Sequence, residues 1–243
     1  MALDRKKLIV LINLFLIFGT CFLTIPSAQA QNLYVSSGSS GQVLRYNGTT
    51  GAFMNVFASG GGLNLPVGLV FGPDGNLYVS SNATNQVLRY DGTTGAFMNV
   101  FASGGGLNGL YGLVFGPDGN LYVSSYLTNQ VLRYNGTTGA FMNVFASGGG
   151  LDCPMGLVFG PDGNLYVSSL CTDQVLRYNG TTGAFMNVFG SGGGLDEPRF
   201  LVFHPSTAPA PTAVPTMAEW GMVIMSVLLG GSGIYLLRRR KAV

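Results

Sequence analysis

Charge is scarce in this chain. Only 9% of its 243 residues are Asp, Glu, Lys or Arg. Between Gln31 and Phe203 there is no lysine, and five arginines stand against eight acidic residues, a net of −3. No basic stripe can be drawn on such a stretch, so the electrostatic term behind nucleic-acid binding is missing and no nucleic-acid partner is expected. So weak a charge also steers partners little. Histidine is rarer still. His204 is the only one in the chain, and Glu197 is the only glutamate before residue 214. With one imidazole and one glutamate, no Ser/His/Asp or Cys/His constellation can be assembled. No catalytic residue, metal-ligand set or cofactor is assigned. Capped helical periodicity is also lacking between Gln31 and Phe203, which excludes a helical domain there.

What fills that stretch is a 44-residue unit copied almost verbatim. Asn76-Leu77-Tyr78-Val79-Ser80-Ser81 recurs at Asn32, Asn120 and Asn164. Gly68-Leu69-Val70-Phe71-Gly72-Pro73-Asp74-Gly75 recurs at Gly112 and Gly156, with a worn copy at Phe200–Pro205. Each unit reads as four short strands, rich in Val, Leu, Tyr and Phe and separated by Gly/Asn/Asp turns. Four strands in such a period match one propeller blade. The fold class is therefore all-β, a β-propeller of four four-stranded blades. The repeat region opens on the second strand type and ends on the first. The expected closure thus takes three strands of one blade from Asn32 onward and its inner strand from Phe200–Phe203. That arrangement removes exposed sheet edges. An eight-bladed ring of two chains is the competing reading.

The repeat text resembles the NHL and SMP-30/gluconolactonase-like propellers, the streptogramin lyase group included. The shared stretches are Gly-Leu-Val-Phe-Gly-Pro-Asp-Gly-Asn-Leu-Tyr-Val and Gln-Val-Leu-Arg-Tyr-Asn-Gly-Thr-Thr-Gly. The resemblance implies the fold over 31–205 and leaves the function open, because such propellers host lactonases, lyases and binding proteins. The lactonase-like relatives hold a metal with Glu, Asn and Asp at the ring centre. A lactonase- or lyase-type enzyme with a degenerate metal site is the alternative to a binding protein.

The ends carry different signals. Arg5-Lys6-Lys7, an apolar run from Leu8 to Ile25 and Ala28-Gln29-Ala30 predict a secretory signal over 1–30, cleaved after Ala30. Phe18-Gly19-Thr20 is a poor approach to a lipidated Cys21. Residues 206–213 read as a Pro/Ala/Thr-rich linker. From 214 to 243, Val214-Pro215-Thr216-Met217-Ala218-Glu219-Trp220-Gly221 precedes an apolar stretch from Met222 to Leu237 and a basic Arg238–Lys241 tail. That stretch suits a transmembrane helix, though it is short for one. Motif, apolar stretch and tail together resemble the IPTL-CTERM sorting signal, a relative of the PEP-CTERM signals. Val214, Pro215, Thr216, Glu219, Trp220 and Gly221 carry the match. The resemblance implies a Gram-negative bacterium, transient anchoring in the inner membrane and processing by an exosortase-type protease. Release to the cell surface or the extracellular matrix would follow.

Differences between the copies concentrate in two connections, the loop between the second and third strands and the crossover between blades. In an antiparallel blade these lie on one side, where a rigid scaffold usually carries its specificity. Tyr111, Tyr126, Asp152, Asp173, Asp196, Glu197 and Arg199 make up the candidate binding face, for an unidentified surface protein or polysaccharide. Drift in tolerant loops is the competing explanation. Asp152, Asp173, Asp196 and Glu197 could gather calcium, but they lack EF-hand or RTX-type spacing. Cys153 and Cys171 fall opposite each other in a hairpin centred on Asp162. In an exported protein that pattern predicts a disulfide, with two free thiols as the alternative. Arg45, Arg89, Arg133 and Arg177 read as structural partners for polar groups between blades.

Overall fold

The computed structural model of the protein describes residues 31–204. The signal segment, the rest of the linker and the sorting segment lie outside the described residues, as do the helices expected in them. The sheets belong to one compact unit ending at Leu201, and Val202 begins a second.

Among the described residues, fifteen strands form four antiparallel meanders. The first sheet holds β1 (Asn32–Ser37), β2 (Gln42–Asn47) and β3 (Phe53–Ser59). The second runs β4 (Pro66–Phe71), β5 (Leu77–Ser81), β6 (Gln86–Tyr90) and β7 (Phe97–Ser103). The third runs β8 (Leu110–Phe115), β9 (Leu121–Ser125), β10 (Gln130–Tyr134) and β11 (Phe141–Ser147). The last runs β12 (Pro154–Phe159), β13 (Leu165–Ser169), β14 (Gln174–Tyr178) and β15 (Phe185–Ser191). Every residue of β5, β9 and β13 is buried. Alternate side chains of a strand point to opposite faces, so these sheets must be covered on both. Three apolar clusters provide the cover, at the seams between successive sheets.

The seams explain the invariant Gly and Ser of the repeat. Strand β8 slips register against β9 between Leu110 and Leu113, which leaves Gly112 N–H off the ladder. The Ser124 hydroxyl accepts that N–H at 2.8 Å and donates across the seam to the Met155 carbonyl at 2.7 Å. Ser36, Ser80 and Ser168 make the same crossing to the carbonyls of Val67, Tyr111 and Arg199. Glycine is needed because the next inner strand lies against it. A Cβ on Gly112 would stand 2.5 Å from the Met155 oxygen, and one on Gly156 would stand 2.6 Å from the Arg199 oxygen.

One expectation about closure is corrected here. The first sheet has three strands, and no strand is assigned over 200–204. The segment starts in the right register, since Gly156 N–H donates to the Arg199 carbonyl at 2.7 Å. The next residue, however, is Phe200 where the other inner strands have glycine, so the close approach described above cannot be repeated. Strand β1 is therefore left as an edge.

Each seam also buries a tyrosine from the third strand. Tyr90, Tyr134 and Tyr178 are fully buried, and their hydroxyls donate to the carbonyls of Gly60, Gly104 and Gly148. Burial pushes Tyr90 up to about 12; Tyr122 is also pushed to about 12 by burial, with a smaller push from the Asp118 carboxylate. A raised folded value means stability that is complete below the ordinary tyrosine value of about 10. It is lost as pH climbs from there toward 12. Urea midpoints are expected to be flat from pH 8 to about 10 and to fall above it, with the buried phenols ionising only on unfolding by absorbance.

Candidate functional site

Three single 3₁₀ turns, Asn82–Thr84, Tyr126–Thr128 and Leu170–Thr172, carry the variable loops. They lie beside the crossovers. The backbone N–H groups of Asn82, Tyr126 and Leu170 donate to the carbonyls of Leu65, Gly109 and Cys153. Asn85, Asn129 and Asp173 end the turns in the left-handed conformation, with φ near 54°, which Asn and Asp tolerate best after glycine. Their side-chain oxygens accept the N–H of Gly109, Cys153 and Glu197 in the next crossover, at 2.8, 3.0 and 2.8 Å. Asp173 thus stands in the place of an amide that ties each loop to the next blade.

The candidate residues fall into separate groups. Tyr111 and Tyr126 meet, with ring centroids 5.2 Å apart and planes tilted by 56°, and both are partly exposed. Glu197 and Arg199 form an exposed ion pair at 3.0 Å, beside the Asp173 contact. Asp152 accepts from the Asn129 amide at 2.8 Å. Asp196 and His204 are exposed. Cys153 and Cys171 are joined, with Cα atoms 5.5 Å apart. The ligand atoms of Asp152, Cys153 and Cys171 lie within 4.8 Å of one another. The disulfide uses both sulfurs, so the trio offers a cation one carboxylate.

The opposite side repeats itself. Asp74, Asp118 and Asp162 each accept the hydroxyl of Tyr78, Tyr122 or Tyr166 and pair with Arg89, Arg133 or Arg177. For Asp118, partial burial pushes the carboxyl up. The Asn120 side chain and backbone, Tyr122 and Arg133 outweigh it and hold the group below the usual range. These arginines act within one sheet, not between blades as the sequence reading has it. Arg89 Nε donates to Asn99 Oδ1 on the adjacent strand at 3.1 Å, and the guanidinium lies 5.5 Å from the Phe101 ring centre.

A third feature is a cavity of about 320 Å³ between the inner strands, β1 and the C-terminal segment, lined by Tyr34, Ser36, Leu69, Leu113, Leu157 and Leu201 among others. Its lining holds no carboxylate and no imidazole, so the metal site implied by the lactonase resemblance has no ligands at this place.

Sequence reasoning missed the serine pairs. Ser81, Ser125 and Ser169 Oγ accept the crossover N–H of Asn64, Asn108 and Asp152, each at 2.9 Å. The signal was present: a polar Ser-Ser kept in every copy at the end of an otherwise apolar strand.

Fold and seams define a β-propeller. Residues 212–240 match the IPTL-CTERM motif, which marks an exported, cell-surface protein. Among solved structures, the streptogramin B lyase structure matches with a TM-score of 0.56 at 15% identity, over 71% of this chain and 55% of that one. A catalytically inactive virginiamycin B lyase from Staphylococcus aureus with quinupristin matches with 0.55 at 15%, over 71% and 56%. The nidogen/laminin complex matches with 0.59 at 18%, over 70% and 62%. The chain thus spans less than two thirds of these longer propellers, and at such identities the likeness concerns fold alone. No curated protein matches the chain. No helix among the described residues is long and apolar enough to cross a membrane.

Proposed function

We propose that this exported propeller is a non-enzymatic binding module. It recognises a surface protein or polysaccharide through the side that carries the variable loops. The observation behind this is the contrast between the two sides of one scaffold. Near-identical blades keep their Asp/Tyr/Arg groups on one side, while the other side presents a tyrosine pair, an ion pair and a disulfide-bonded loop. Two amphipathic rings at 5.2 Å form a contact surface that costs little side-chain entropy to use. The lack of acid or imidazole around the central cavity favours binding over the lactonase or lyase alternative. Before release, the apolar stretch of the sorting segment anchors the chain in the inner membrane, and an exosortase-type protease is its processing partner.

The test is a glycan array and an envelope-protein overlay probed with the full chain. Tyr111→Ala and Tyr126→Ala are expected to weaken the captured signal at least tenfold, the loss for about 1.4 kcal/mol, with unfolding midpoints nearly unchanged. Lactone hydrolysis with unaltered capture by the tyrosine variants would sink the reading.

A further inference from the structure

Three times along the chain one sheet closes on the next by the same contacts, and the fourth set is split between the two ends. At the formed seams, a Cβ on Gly61, Gly105 or Gly149 would run into the ring of Phe97, Phe141 or Phe185. A Cβ on Gly95, Gly139 or Gly183 would run into the carbonyl of Phe57, Phe101 or Phe145. The fourth members of both series are open. Gly193 and Gly51 have nothing within 4 Å of that position. Their missing partners are Phe53, which is 59% exposed, and Phe189, which is 52% exposed where Phe57, Phe101 and Phe145 are 5%. Leu33 is 55% exposed although its counterparts Leu77, Leu121 and Leu165 are at 0%. The last sheet thus presents one half of the seam and the first sheet presents the other.

We propose that a second copy of this chain covers both halves, head to tail, so that two chains complete one ring of eight sheets. The occupant follows from continuity: each open face is the complement of the other, and the interface they would form already exists three times inside the chain. Within one chain the two end faces do not meet: Phe53 and Phe189 are exposed, and Gly51 and Gly193 have nothing within 4 Å of a Cβ. A second copy supplies partners for Gly193 and Gly51 as the formed seams supply them for Gly61 and Gly95. Leu33, Phe53 and Phe189 are apolar, so their cover needs no charge desolvated. The interface is heterologous, and two copies close it as a ring rather than a filament. Such a ring carries two Tyr111–Tyr126 pairs, and a polymer that engages both gains by effective concentration.

The test places cysteines across the proposed seam in the full chain, as Phe53→Cys with Gly193→Cys. The internal control is Phe97→Cys with Gly61→Cys, which links the same contact within one chain and sets the mobility of an internal bridge. After mild oxidation the test variant is expected to run as a covalent species of twice the chain mass, and light scattering of the unmodified protein is expected to give two chains. A bridge closed within one chain, a ladder beyond two chains, or no bridge where the control forms one would overturn the proposal. A single-chain mass by light scattering would do the same.

Discussion

Gly112→Ala is expected to lower the unfolding free energy by about 3 kcal/mol, at the upper end of what overpacking costs. The added methyl would meet the Met155 carbonyl at 2.5 Å and the Gly156 Cα at 3.2 Å. Both are backbone atoms of the adjacent inner strand, so relief requires moving a strand, not turning a side chain. That movement also stretches the Ser124 bridge, which satisfies Gly112 N–H and the Met155 carbonyl in a buried place. Leaving such groups unpaired costs about 1–3 kcal/mol. Gly190→Ala is the control. Its Cβ would meet only Val175, at 3.8 Å, and Ala58, Ala102 and Ala146 already stand at this place in the other copies. That change is expected to be neutral, or to stabilise by about 0.5 kcal/mol through the unfolded chain. Urea unfolding of both variants decides the matter: equal midpoints would refute the close-approach account of the repeat glycines.

The second large effect is expected from the disulfide. Replacing Cys153 and Cys171 together by serine should cost about 3 kcal/mol, the chain-entropy value for a loop of this size and a separation of 18 residues. The hairpins β4–β5 and β8–β9 form the same pairing without a bridge. The bond is therefore not needed to shape β12–β13, and its contribution comes from restricting the unfolded chain. Denaturant midpoints of the native protein with and without reductant should differ by the same amount, and the double-serine variant should be indifferent to reductant. Coincident midpoints for the native protein would mean that the bridge adds nothing.

Much of the architecture was legible because its causes are local. Alternating Val, Leu, Tyr and Phe with Gly/Asn/Asp turns sets strands and hairpins, and a 44-residue period sets the repeating sheet. The opposition of Cys153 and Cys171 follows from hairpin register alone. The site was legible only in part. Variation among copies located the loops, but Asp173 reads as a spare acid until its place in the Asn85/Asn129 series is seen. The Arg89 group reads as a link between blades until Asp74 and Asn99 of its own sheet are found beside it.

The sequence by itself determined strands, turns and the covalent bridge, because each depends on residues near in the chain or on a fixed register. The tertiary structure alone decided how the blades meet. Whether Gly112 can tolerate a side chain, what a buried serine holds, and why Phe200 ends the series depend on distances across seams, between atoms one whole repeat apart. The open faces at Leu33 and Phe189 belong to that same level, since exposure is a property of what does or does not pack alongside.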